Sequence, residues 1–425
     1  MTGVKRGLMT PTPSLDAIVS FAHALPGFCC FDSAEGQTIV TWGSSLPHTS
    51  VEGWQAFIRA NTHPTSADNT PYSGGVVGWL GYESGRSVET MPLQNQPRPA
   101  HDICLWRTDG AIVVDKQTST TTVHGTPAFR TEASNLLESA KGWTQSDDLE
   151  QPARPWQPAD HAERSAHYTD GVETILSHVH AGDVYQVNLA WEQAAIPIEN
   201  AAKTWLSLRQ QNPAARGCYL RQDRVEIISN SPELFLSVDP KLRRVLSLPI
   251  KGTAAIAEGH QARRELEVSP KERAELTMIV DLVRNDLGRI AQPGSVEAQP
   301  RHLRQCGDLW HAEQQVSAVL AAGHDAVSAV EAAFPPGSVT GAPKVRAMQV
   351  IHSLESGPRG IYTGAIGWFA DGGGAHLNVA IRTATVIDGL ARFHVGAGIV
   401  ADSQPDREWR ETLAKARALA HCLRR

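Results

Sequence analysis

Downstream of residue 166 the chain alternates short apolar runs with longer amphipathic ones, separated by turn residues. A short apolar run suits a strand, and a 3.6-residue period suits a helix packed on a sheet. The patterns predict helices over 168–180, 271–287, 345–354 and 409–423. They predict strands over 225–229, 234–238, 365–368, 378–386 and 393–400, the first two flanking a Ser231-Pro232 turn. In 271–287, Leu276, Ile279, Val280, Val283 and Leu287 fall on one stripe. The class this implies is α/β (α+β), with many short strands.

Glycine alternates with apolar residues from Gly74 to Tyr82, as in a strand that other backbone approaches closely. Pro, Gln and charge dominate about 144–166, where no apolar period survives. The expected division is an N-terminal region 1–145, a linker 146–166 and a catalytic region 167–425. A length of 425 residues would allow two or three units, and no internal repeat appears.

Composition excludes several classes. The net charge of −6 argues against a general nucleic-acid binder or an anionic-membrane binder. No run of 18 apolar residues exists, so no membrane span is expected. After Lys5 and Arg6 no signal-peptide core follows. The six cysteines (29, 30, 104, 218, 306, 422) have no CxxC or metal-finger spacing, which suits reduced, mostly buried thiols and a cytoplasmic setting.

Two glutamate pairs stand out. Glu272 and Glu275 lie four residues before Leu276 and Ile279, so they extend the apolar stripe of the 271–287 helix. Glu272 also completes a capping box, Ser269-Pro270-Lys271-Glu272, and would serve equally well as a cap. Glu408 and Glu411 stand before Lys415, where an exposed (i, i+4) ion pair is the plainer reading. Converging, four glutamates would suit a hard divalent cation such as Mg2+, whereas nothing clusters for zinc.

Gly337 to Lys344 is a glycine turn leading into a helix. It lacks the P-loop spacing but offers backbone N–H groups and Lys344 to a carboxylate. Gly396 to Ser403 is a second such turn, and ordinary turn chemistry explains either. Arg382, between Ile381 and Thr383, is either an inward guanidinium that wants a carboxylate or half of an edge-strand salt bridge. Lys251, between Pro249-Ile250 and Gly252-Thr253, is either a surface lysine or an amine made nucleophilic by desolvation.

Over about 165–425 these residues resemble the chorismate-utilising enzymes. The resemblance is carried by the runs from Gly182 to Leu189, Ser231 to Glu233, Pro249 to Thr253, Met278 to Asp286, Gly337 to Lys344, Arg359 to Gly364, Ile381 to Thr383 and Gly396 to Lys415. Leu25 to Phe28 and residues 74–86 look like the family's aminodeoxychorismate branch. The resemblance implies an anthranilate synthase component I-like fold: two large, packed, mostly antiparallel sheets surrounded by helices, with 1–145 woven in. Water-adding branches use a lysine base where this chain has Gln186, and an amide cannot deprotonate water. The anthranilate branch typically has alanine at the position of Lys251, and the aminodeoxychorismate branch has lysine.

The resemblance further implies roles. Lys251 would add to the chorismate ring and Glu233 would act as general acid. Mg2+ would rest on Glu275 and Glu411, supported by Glu272 and Glu408. Tyr362, Arg382, Gly396 and Gly398 would hold the pyruvyl carboxylate, Thr340 would contact the C4 region, and His311 and Lys415 would line the pocket. No Gly-x-Cys-x-Gly nucleophile is present, so ammonia would come from a separate glutamine amidotransferase subunit. The chain departs from the family pattern at Pro336, where a glycine is usual, and after His311.

Overall fold

Side chains alternate across a strand, so a strand covered on both faces must be apolar on both. Phe28–Asp32 meets this demand: Cys29 and Phe31 enter one core, Phe28 and Cys30 another. The computed structural model describes all residues except 1–12, 44, 65–71, 89–100, 142, 144–157, 159, 308 and 425.

The described strands form three antiparallel sheets. A ten-stranded sheet runs, edge to edge, Gly341–Ala342, Gln186–Pro197, Leu390–Ile399, Thr383–Ile387, Val225–Ser231, Arg216–Gln222, Phe28–Asp32, Gln37–Thr41, Gly110–Asp115, Thr120–Gly125. An eight-stranded sheet runs Glu297–Ala298, Val316–Val319, Arg244–Leu248, Leu234–Asp239, Ala375–Val379, Ala365–Ala370, Gly75–Leu80, Ile103–Thr108. A three-stranded sheet holds Ile250–Ala255, Leu309–Glu313 and His302–Cys306.

The two large sheets pack face to face. Phe31, Ile39, Leu220 and Ile227 of one meet Val77, Trp79, Trp106 and Ile366 of the other. Fully burying one such aliphatic or phenyl side chain is worth about 1.5–3 kcal/mol. Helices including His161–His180, Lys344–Leu354 and Pro405–Leu423 cover the outer face of the ten-stranded sheet. Trp54–Asn61, Pro270–Gly288 and Ala326–Ala333 cover that of the eight-stranded sheet. None of the described helices is long and apolar enough to cross a membrane. None of the six cysteines is in a disulfide, and all but Cys306 are buried.

The N-terminal strands are woven in: Phe28–Asp32 pairs with Arg216–Gln222, and Gly75–Leu80 with Ala365–Ala370. The glycine-rich strand is as tight as its sequence suggests. Gly78 has φ +142°, and a Cβ there would lie 1.9 Å from the Cys104 carbonyl oxygen. The expected linker falls mostly outside the described residues, and its end is corrected, because 161–166 already form the first turns of His161–His180. One further expectation changes. The run 378–386 is not one strand but the end of Ala375–Val379 and most of Thr383–Ile387, in different sheets. The expected strands over 225–229 and 234–238 do form, and the turn between them carries the chain from one sheet to the other.

Candidate active site

Three segments leave one sheet for another side by side. Pro232-Glu233 links Val225–Ser231 to Leu234–Asp239, Ala380 to Arg382 links Ala375–Val379 to Thr383–Ile387, and Pro249 links Arg244–Leu248 to Ile250–Ala255. Proline has no N–H to continue a ladder, so strands end at Pro232 and Pro249. Arg382 turns the chain at φ +51°, a left-handed conformation uncommon outside glycine. The first two crossings are stitched together. Ser231 Oγ donates to the Val379 carbonyl (2.7 Å), Val379 N–H to the Glu233 carbonyl (3.1 Å) and Asn230 N–H to the Arg382 carbonyl (3.0 Å). Glu233, Lys251 and Arg382 are thereby gathered at one seam.

Lys251 is half-buried as a residue, but its amine lies over the glycine strand. A Cβ on Gly398 would stand 3.2 Å from Lys251 Nζ and 2.9 Å from Gln186 Nε2. Burial lowers the lysine pKa and Lys415 adds to this, while Glu275, Glu233 and Glu411 oppose it. Among the described residues no hydrogen bond or ion pair ties the amine down. Gln186 is fully buried, and neither end of its amide has a partner. The pocket thus holds a desolvated primary amine beside a neutral amide.

Glu233 is 3% exposed. Burial raises its carboxyl pKa, against a hydrogen bond from Ser338, the Lys251 charge and the Ile250 N–H (3.4 Å). A carboxyl that keeps its proton toward neutrality can donate it. Its turn is clamped: Arg216 Nη1 (2.9 Å) and Arg304 Nη2 (3.2 Å) both donate to the Pro232 carbonyl, and Glu313 holds Arg304 at 2.8 Å. Burial pushes the Arg216 pKa down to about 10. His311 faces Thr253 across the small sheet, with Nδ1 3.0 Å from Thr253 Oγ1. Burial, then Arg382 and Arg304, push the His311 pKa down to about 3, so the ring is neutral, and its buried Nε2 has no partner.

At the other end Tyr362 is buried and stacks on His394, centroids 5.6 Å apart at 17°. A Cβ on Gly396 would lie 3.0 Å from the Tyr362 hydroxyl. Burial lowers the Arg382 pKa against Cys306 and Glu233, and no carboxylate pairs with Arg382 among the described residues. The edge-strand salt bridge is therefore not formed. Thr340 is fully buried and its hydroxyl donates within its own turn, to the carbonyls of Pro336 (3.0 Å) and Gly337 (3.3 Å). Lys344 is corrected: its buried amine is bound by Asp286 (2.8 Å) and the Ala333 carbonyl (2.7 Å), which makes it part of the scaffold.

The glutamates reach the site from two helix starts. Ser269 Oγ caps Glu272 N–H at 3.3 Å, but Ser269 N–H goes to the Glu265 carbonyl, so the expected capping box is only half formed. The Glu272 carboxylate turns to the strand that carries Lys251 instead, where a Cβ on Gly252 would lie 2.6 Å from its Oε2. Burial raises the Glu275 pKa, with Glu272 and Glu411 adding to it. Burial also raises that of Glu408, again with Glu411 adding. Burial works against Glu411, but Lys415 at 2.7 Å brings its carboxyl below the usual range. That bond is the expected (i, i+4) pair, and Lys415 also donates to the Gly396 carbonyl at 3.2 Å, tying the helix to the glycine strand.

Repelling carboxylates and an oxygen-only donor set fit a hard cation. Among the described residues, however, no three of them close on one point, and Lys271 stands 3.8 Å from Glu275. Sequence reasoning missed Asn188, Arg216, Arg304, Ser338 and His394. Asn188 and Ser338 lay inside recognised runs; Arg216, Arg304 and His394 reach the site across the sheets and leave no local signal.

A family model described as chorismate binding enzyme matches residues 30–421. The chain is 34% identical over 442 residues to anthranilate synthase component 1 of Geobacillus stearothermophilus, covering 95% of this chain and 85% of the relative. It is 34% identical over 415 residues to aminodeoxychorismate synthase component 1 of Bacillus subtilis, covering 92% and 86%. The crystal structure of anthranilate synthase component I from Streptococcus pneumoniae superposes with a TM-score of 0.75 at 27% identity, covering 93% of this chain and 90% of that one. With the fold, the seam and these likenesses in agreement, the chain belongs to the chorismate-binding enzyme family and is a chorismate-utilising enzyme.

Proposed function

We propose that this chain is the chorismate-aminating subunit of an aminodeoxychorismate synthase, making 4-amino-4-deoxychorismate for p-aminobenzoate and folate synthesis. The reading rests on the Lys251 amine, desolvated and unpaired beside Gly398 and Gln186. A relative bearing the printed name aminodeoxychorismate synthase component 1 supports it, while the equally similar anthranilate synthase component 1 keeps anthranilate formation as the second reading.

Lys251, neutral when it reacts, adds at ring C2. The ring double bonds shift and the C4 hydroxyl leaves with the Glu233 proton as water. Ammonia then adds at C4, the double bonds shift back and the Lys251 amine is expelled from C2. Protons return to Glu233 and to the medium. Gln186 cannot take a proton from water, which disfavours hydroxide entry. Tyr362 and Arg382 bind the side-chain carboxylate, with Gly396 and Gly398 leaving room for it. His311 and Lys415 line the pocket, and Thr340 shapes the loop beside the C4 region. Glu275 and Glu411, backed by Glu272 and Glu408, would hold Mg2+, which when bound neutralises the ring carboxylate. Ammonia comes from glutamine through a separate amidotransferase subunit, and the setting is cytoplasmic.

Product identification by mass and ultraviolet spectrum, with chorismate, Mg2+ and either ammonium or glutamine plus an amidotransferase, tests this reading. Aminodeoxychorismate supports it. Fluorescent anthranilate formed without any added lyase would sink it in favour of the second reading.

A further inference from the structure

Asn188 lies two residues beyond Gln186 on the same strand, so both side chains share the face toward the second sheet, while Val187 and Leu189 enter the helix-side core. Across the ladder Asn188 faces Gly398, and Ala190 faces Gly396. Neither glycine has a Cβ, and polar side-chain atoms gather over them instead: Lys251 Nζ and Gln186 Nε2 at Gly398, the Tyr362 hydroxyl at Gly396. Asn188 is 6% exposed, and its buried Nδ2 makes no well-formed hydrogen bond among the described residues. Burial raises the pKa of the neighbouring Tyr362 hydroxyl, against Arg359 and the Asn188 amide beside it. The residue is fixed from behind, where Arg359 Nη2 donates to the Asn188 carbonyl at 2.6 Å.

Among the carboxylates near this position, Glu355 is already engaged: it accepts from Ala190 N–H (2.9 Å) and from Arg359 Nη2 (2.6 Å) and Nε (2.9 Å). Burial pushes the neighbouring His394 down to about 3, which leaves it a neutral ring. A buried amide donor without an acceptor is costly, and a ligand acceptor relieves the cost. The carboxylates of Glu275, Glu233 and Glu411 instead act on the Lys251 amine. The donor end therefore suits the anionic part of a substrate, and the acidic end suits a cation and a departing hydroxyl.

We propose that Asn188 is a substrate-binding and specificity-determining residue whose Nδ2 hydrogen-bonds the side-chain carboxylate of chorismate beside Tyr362. This rests on the reading of the pocket as a chorismate site, whichever amine product it makes. The bond exists in the ground state, so its loss weakens binding more than it slows chemistry.

The test is equilibrium binding of chorismate to the full chain, read by quenching of tryptophan fluorescence without ammonia or glutamine. Wild type is compared with Asn188→Ala and the near-isosteric Asn188→Asp. A second ligand, a chorismate analogue lacking the side-chain carboxylate, is run in parallel. A hydrogen bond to a charged group predicts chorismate affinity about 10- to 100-fold weaker in Asn188→Ala. Asn188→Asp, which sets charge against charge, should be weaker still. The analogue should bind all three proteins alike, and kcat should change little while KM rises. Chorismate affinity within about twofold of wild type in both variants overturns the proposal. So does an equal loss for chorismate and the analogue, the mark of a merely structural role. If Asn188→Ala does not fold, Asn188→Asp alone decides by the same comparison. Failure of wild type to bind chorismate would instead refute the pocket reading.

Discussion

Gly398→Ala separates chemistry from stability. Gly398 lies in regular strand backbone, so alanine is conformationally allowed there. The added methyl would stand 2.9 Å from Gln186 Nε2, 3.3 Å from its Cδ and 3.2 Å from Lys251 Nζ. All three are atoms of flexible side chains, so the Gln186 amide must swing aside and the lysine amine must yield a few tenths of an ångström. Reduced chain entropy of the unfolded state offsets the crowding, and net stability should stay within about 1 kcal/mol of wild type. Catalysis is less forgiving. A misplacement approaching 1 Å costs roughly 100-fold, so kcat/KM should fall about 10- to 100-fold, or about 1.4–2.7 kcal/mol of barrier. Gly396→Ala is the contrast: its methyl would meet the Leu189 carbonyl at 2.4 Å, so backbone must move, at about 1–3 kcal/mol of stability. Steady-state kinetics and urea denaturation of both variants give the answer. Full activity in Gly398→Ala, or a stability loss equal to that of Gly396→Ala, would refute the placement of the Lys251 amine.

Lys251→Met should abolish amination yet stabilise the fold at neutral pH. The folded-state pKa of Lys251 lies below its ordinary 10.5, so the unfolded chain holds the proton more tightly. Stability therefore rises as pH climbs from the folded pKa toward the unfolded one, and the penalty is complete below the folded pKa. Urea midpoints at neutrality and near pH ~10 should be higher and flatter in the variant; a lower midpoint at neutrality would contradict the burial of that charge. Glu233→Gln removes the proton donor and should lower kcat about 100- to 10,000-fold with KM little changed. The raised Glu233 pKa also means that a wild-type alkaline limb, absent from the residual activity of the variant, should appear above the ordinary carboxyl value of 4.5. Arg359→Met breaks the buried 2.6 Å pair with Glu355 and should cost about 3–5 kcal/mol by chemical denaturation.

What the sequence disclosed depended on how local each signal is. The stripe of the Pro270–Gly288 helix and the glycine-marked Gly75–Leu80 strand are local, and they folded as read. Arg382 was legible as an unusual guanidinium but not as the point where the chain changes sheet, because one left-handed residue inside an apolar run breaks no pattern. Lys344 misled for a similar reason. A lysine at a helix start reads the same whether its carboxylate is a ligand or Asp286, 58 residues away. The Arg216 and Arg304 clamp on Pro232 spans 16 and 72 residues and carries no periodicity at all. Glu411 and Lys415 were doubly readable, and both features hold: the pair forms, and Lys415 reaches Gly396.

The central claim, that the Lys251 amine bonds to the substrate ring, is tested most directly by intact mass spectrometry of the protein incubated with chorismate and Mg2+ but no ammonia. The account predicts a species heavier by chorismate less one water, mapped after reductive or acid quench to the peptide containing Lys251 and missing from Lys251→Ala. No adduct in wild type, together with undiminished amination by Lys251→Ala, would contradict it.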